Sequence, residues 1–147
     1  MKKYFFSIIL AVSAFLMLTA QKADISAPEK TIKLFYEAID EFDRVKLAAC
    51  FRLTDAEVKE YYFGDEKGRC MHTFKISAKK NYDRASAEKE NKGRGEMIKI
   101  EAGDVYMAAS TITACKGESY LEMNHYFWLR KYDGVWKIYD HATEADD

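Results

Sequence analysis

Apolar side chains recur at helical spacing from about residue 26 to residue 51, and after Gly95 they recur at every second position. That change of period divides the chain into a helical first part and a stranded second part. Ser26-Ala27-Pro28-Glu29 has the form of a capping box with proline at the helix start. Behind it Ile32, Phe35, Ile39 and Phe42 step by helical intervals and make one buried stripe, widened by Leu34, Tyr36 and Ala38. Asp43 ends this helix and caps a short second one, Val45 to Phe51, carrying Leu47, Ala48 and Cys50. Thr54-Asp55-Ala56-Glu57 is another capping box and opens a third helix through Tyr62, before Gly64 breaks the pattern. Residues 65–92 are ambiguous. Ser77 to Asn91 is rich in Ala, Lys, Glu and Arg and stops at Gly93, which reads as helix. The run from Cys70 to Ser77 fits helix or strand, with helix preferred.

The second part predicts four strands: Met97–Glu101, Val105–Cys115, Glu118–Tyr132 and Val135–His141. Ala102-Gly103-Asp104, Lys116-Gly117 and Asp133-Gly134 are the turns, and the last is a strong hairpin signal. The expected architecture is α+β, with N-terminal helices packed on a curved antiparallel sheet. Hairpin register then sorts side chains by face. With Asp133-Gly134 as the turn, Leu129 faces Ile138 and Phe127 faces Asp140. With Lys116-Gly117 central, Leu121 faces Ile112, Met123 faces Ser110 and His125 faces Ala108. One face therefore gathers Tyr106, Ala108, Ser110, Ile112, Leu121, Met123, His125, Phe127, Leu129, Trp136, Ile138 and Asp140, and its apolar character marks it as the helix-covered side. Tyr120, Tyr126, Trp128 and Tyr139 fall on the other.

The N-terminus sets location. Lys2 and Lys3 precede an apolar run from Tyr4 to Leu18, and Thr19-Ala20 offers a small-residue cleavage site before Gln21. This reads as a secretory signal over residues 1–20, shorter than the roughly 20 apolar residues of a spanning helix; an uncleaved anchor is the alternative. Residues 21–27 form an exposed leader, 28–142 a single domain and 143–147 an acidic tail. Without Lys2 and Lys3 the balance is 21 basic to 24 acidic residues. So mild a charge gives no electrostatic case for nucleic acid or an anionic membrane. Three cysteines, Cys50, Cys70 and Cys115, cannot all pair within one chain. One disulfide, Cys50 to Cys70, or ordinary buried thiols are the readings. His72 beside Cys70 supplies two metal-ligand types without a third, so no metal is expected. No phosphate loop, dinucleotide fingerprint or Ser-His-Asp signature is present, and no cofactor is expected.

The capped first helix, the short helix begun by Asp43 and the terminal hairpin reading FWLRKYDGVWKIYD together resemble the nuclear-transport-factor-2-like superfamily. The resemblance covers most of residues 28–140 and implies a cone-shaped, cystatin-like α+β roll with a pocket, and often a homodimer through the outer sheet face. No catalytic signature of the superfamily's enzymes is matched residue by residue. Tyr106, Ser110, His125 and Asp140, with Met123 and Trp136, are the candidate pocket residues, since a small-ligand site is apolar with a few convergent polar groups. Tyr120, Tyr126, Trp128 and Tyr139 are the candidate interface, for a second copy or for glycan stacking. The expected function is non-catalytic binding of a small apolar or amphipathic ligand, or of a protein partner. A cofactor-free isomerase, dehydratase or hydrolase using His125 and Asp140 with Tyr106 is one alternative; a periplasmic immunity or inhibitor protein is another. The plain account is that these polar residues are satisfied members of a core and its rim.

Overall fold

The computed structural model describes residues 25–52, 70–95, 97–116 and 121–145. The expected third helix, Thr54 to Tyr62, lies outside these residues, as do the N-terminal signal and Tyr120. Helix α1 spans Pro28–Glu41, with Pro28 in its first turn, where the missing N–H costs nothing. Its N-cap is Ala27 and no side chain caps it, so the box expected at Ser26 does not form. Thr31, buried in the first turn, instead donates its hydroxyl to the Trp136 carbonyl at 3.2 Å and ties the helix start to the sheet. Phe42 ends α1 in the left-handed region, and Asp43 caps helix α2, Arg44–Cys50, by accepting the Lys46 N–H at 3.0 Å. The leader is not wholly exposed: Ile25 is buried, and its carbonyl accepts the Trp136 N–H.

Strand β1 is Cys70–Asn81, where helix was preferred. His72, Phe74 and Ile76 are half-buried while their neighbours are exposed, a period of two that settles the element as a strand with one covered face. The lysine- and alanine-rich stretch after it splits. Residues to Asn81 finish the strand, and helix α3, Arg84–Asn91, starts at Asp83, whose carboxylate and Ser86 form a reciprocal capping box. Residues 97–101 are irregular rather than a strand. Strands β2, Val105–Cys115, β3, Leu121–Tyr132, and β4, Val135–Ala145, complete an antiparallel sheet in the order β1-β2-β3-β4. Asp133 and Gly134 both take positive φ, 49° and 85°, as a tight primed hairpin turn requires. Since β4 runs to Ala145, residues 143–145 belong to the sheet and not to a tail.

Helix α1 touches both edge strands, β1 and β4, and lies over the inner face with α2 against β4. Ile32, Phe35, Tyr36 and Ala38 of α1, Leu47 and Cys50 of α2, and Phe51 pack on Val105, Met107, Ala109, Phe127, Leu129 and Ile138. The inner face is thus built from the odd positions of β2 and β3. The sequence reading had β3 correct but β2 inverted, because Leu121 pairs with Thr113 and not Ile112. A shift of one residue moves every side chain of a strand to the other face. In β4 the hairpin register holds at Leu129–Ile138, then a bulge leaves Tyr139 unpaired and brings His141 opposite Phe127. Cys70 bonds Cys115 across β1 and β2, not Cys50, which is a buried thiol in α2.

Candidate functional site

The three histidines of the chain all reach the inner face, one each from β1, β3 and β4. Inner-face parity places His72 with Phe74 and His125 with Phe127, and the bulge at Tyr139 turns His141 inward beside them. Nδ1 of His125 and Nε2 of His141 stand 3.1 Å apart. Their rings lie 5.3 Å apart at 30°, with Phe127 stacked on His141 at 4.7 Å and Phe35 meeting His141 edge-on at 5.4 Å. Burial among these rings penalises a charged imidazole. The His125 pKa is pushed down to about 4 by burial first and the nearby His72 second, and that of His141 to about 3 by burial first and His125 second. Near neutrality both are uncharged, so one ring donates and the other accepts.

Two further pairs line the same face. Tyr36, in α1, shares a 2.6 Å hydrogen bond with the Thr111 hydroxyl of β2, and burial raises its phenol to about 12. Asp40, one turn further along α1, accepts His72 Nδ1–H at 2.6 Å and the His72 backbone N–H at 3.1 Å. That carboxylate fixes the His72 tautomer and satisfies a backbone donor of the sheet's edge strand. Tyr36 joins the pairs: its ring stacks on Phe74 at 4.3 Å and lies 6.2 Å from His72 and 5.7 Å from His125. The result is an aromatic wall with paired hydrogen-bonding groups set into it. Leu121 and Met123, toward the end of the face away from the β3–β4 turn, are exposed and half-buried. Among the described residues no group of three or more His, Cys, Asp and Glu is arranged to hold a metal ion.

Of the sequence-predicted pocket residues, His125, Met123 and Trp136 lie on the inner side. Tyr106, Ser110 and Asp140 do not. The one-residue change in β2 puts Tyr106 opposite Trp128 and Ser110 opposite Asn124, on the outer face, and the β4 bulge does the same to Asp140. Asp140 forms an ion pair with the buried Arg94 guanidinium, which also lies 4.8 Å over the Trp128 ring. An acid–base pair of His125 with Asp140 and Tyr106 is therefore ruled out by geometry. His141, Tyr36, Thr111 and the Asp40–His72 pair were missed. For His72 the signal was its alternation with Phe74 and Ile76, which a helical reading of β1 obscured.

The outer face is also less open than the sequence implies. Residues 82–95 and 97–104 fold over one end of it, where Tyr82, Ala87 and Ile100 pack on Tyr106 and Trp128. Asp104, buried, accepts Arg130 Nε and Nη2 at 2.8 Å each, the Tyr139 hydroxyl at 2.9 Å and the Glu101 N–H at 2.9 Å. Arg130 stacks 4.7 Å over Tyr139 and also donates to Glu101 and to the Lys99 carbonyl. Trp128 and Tyr139, expected as contact residues, are therefore half-buried, Trp128 under the Tyr82 cluster and Arg94 and Tyr139 under Arg130. Tyr126 lies beyond it and donates to Glu144 at 2.8 Å. No helix among the described residues is long and apolar enough to cross a membrane. No protein-family model matches the chain, and no curated protein is detectably similar to it.

Proposed function

We propose that the chain is an exported, non-catalytic binding domain of the nuclear-transport-factor-2-like type that takes a small apolar or amphipathic ligand on its inner face. The observation that carries this is the His125–His141 pair, half-buried at 3.1 Å between Phe35 and Phe127. Aromatic walls supply contact area for an apolar body, and the imidazole pair sets one polar point among them. The α+β order and the helix crossing to both edge strands agree with the cone that the resemblance implies. Export rests on the Tyr4–Leu18 run and on the presence of a disulfide, which oxidising compartments favour.

The test is a crystal structure of protein purified without added ligand. Continuous density beside His125 and His141 is the expected result. Side chains closed over the pair, with no density and no accessible volume, would overturn the reading. Export is checked separately by the intact mass of protein recovered from outside the cytoplasm, which should begin at Gln21.

A second reading is favoured by one feature of the outer face. Lys75, Ser110, Asn124 and Glu144 form a row across the four strands, basic at the β1 edge and acidic at the β4 edge. A two-fold axis parallel to the strands would set each lysine edge against the partner's glutamate edge, with the exposed Ile112 and Met71 between them. Sedimentation of the protein with Lys75→Glu, against wild type and a Lys75→Glu/Glu144→Lys reversal, tests that homodimer. Loss with the single change and recovery with the reversal is expected; a wild-type monomer would end it.

A further inference from the structure

We propose that His125 and His141 form a two-imidazole site for a first-row transition-metal ion, binding copper(II) most tightly and nickel(II) or zinc(II) less so. Nδ1 of His125 and Nε2 of His141 face each other at 3.1 Å. Two imidazole nitrogens bound to one ion at about 2.0–2.1 Å stand about 2.9 Å apart at a right angle and about 3.3 Å apart at the tetrahedral angle. The observed spacing lies between these values, so an ion fits with a displacement of a few tenths of an ångström. The two rings come from neighbouring strands and are diagonal in the ladder, where Phe127 pairs with His141, so the backbone fixes their approach. Ring contacts from Phe127 and Phe35 fix the His141 orientation. Such a preset pair loses little side-chain entropy on binding.

His72 is the next imidazole on the face. Asp40 holds its Nδ1, a carboxylate–imidazole pairing of the kind that orients ligands in metal sites. As the side chains stand, no third ligand converges with the first two among the described residues. With these two protein ligands the ion would have its remaining positions taken by water or an incoming donor. Imidazole ligands without thiolate suit copper(II), nickel(II) and zinc(II), and copper(II) leads the affinity order for nitrogen donors. This inference goes beyond the small-ligand reading and stands without it, since failure to bind metal would leave the crystallographic test beside His125 unaffected.

The experiment is titration of untagged protein with copper(II) and zinc(II), read by calorimetry and, for copper, by electron paramagnetic resonance. One equivalent should bind, copper more tightly than zinc, with hyperfine coupling from two imidazole nitrogens. Affinity should fall by tenfold or more in His125→Ala and in His141→Ala. Circular dichroism confirms that each variant folds. If either fails to fold, the readout is the wild-type protein alone, where substoichiometric copper(II) should broaden the ring protons of His125 and His141 before any others. An adventitious site only would show as binding unchanged by both substitutions, or as broadening that starts elsewhere. That result, or no binding, would overturn the proposal.

Discussion

The two faces of the sheet handle polar groups in opposite ways. On the outer face Arg130, Asp104 and Tyr139 form one group and Arg94 with Asp140 another, and both hold residues 82–95 and 97–104 on the strands. On the inner face the described polar groups meet in pairs among aromatic rings: His125 with His141, Tyr36 with Thr111, and Asp40 with His72. A network whose donors and acceptors all meet inside it stabilises the fold and has little left for a ligand. The half-buried imidazoles of His125 and His141 are instead held uncharged by the rings around them. The sheet thus separates a face of structural ion pairs from the face on which we propose binding, and that separation can be broken from either side.

Acid should produce the largest effect, and on the inner face. Burial holds both imidazoles below their usual value, so the stability they contribute is complete above about pH 6.5 and is lost as pH falls through about 4 and then about 3. Urea denaturation midpoints should drop steeply across that window. Much of the slope should vanish in a His125→Phe/His141→Phe double variant, although carboxylates lose their partners there too.

Replacing both Cys70 and Cys115 by serine should cost about 4 kcal/mol in a chain-entropy account, since the bond closes a loop of 45 residues. The bond lies at the end of β1 two residues before His72, so the Asp40–His72 contact should weaken with it, seen as a shifted His72 ring resonance. Cutting the outer clamp with Asp104→Ala should cost about 3 kcal/mol by stranding Arg130 and the Tyr139 hydroxyl. Urea unfolding measures that loss, and the His125 and His141 ring resonances should stay unmoved. Tyr36→Phe should cost only about 1 kcal/mol, by leaving the buried Thr111 hydroxyl without its partner; thermal unfolding is sensitive enough to see it.

Much of this was legible in the sequence, for reasons that particular residues make plain. Helix α1 and the Asp43 cap followed from local spacing and side-chain chemistry, which tertiary contacts did not override. The faces of β3 and of Trp136 and Ile138 followed from the Asp133-Gly134 turn, whose two positive φ angles fix the register. Where the turn chemistry was weaker, register failed: around Lys116-Gly117 a single residue reversed β2 and carried Tyr106 and Ser110 to the wrong side. The bulge at Tyr139 has no local signature, so His141 could not be placed with His125 from spacing. Strand β1 was hidden because Ala78, Lys79 and Lys80 favour helix locally, whereas pairing with β2 and the bond from Cys70 to Cys115 hold them extended.

The most direct test of the inner-face site is a pH titration of the three imidazole rings by nuclear magnetic resonance. The account predicts that His125 and His141 remain uncharged through pH 6 and titrate near 4 and 3, each sensing replacement of the other. If either titrates near 6.5, independent of the other, the pair is solvated or apart, and the inner face is not the site described.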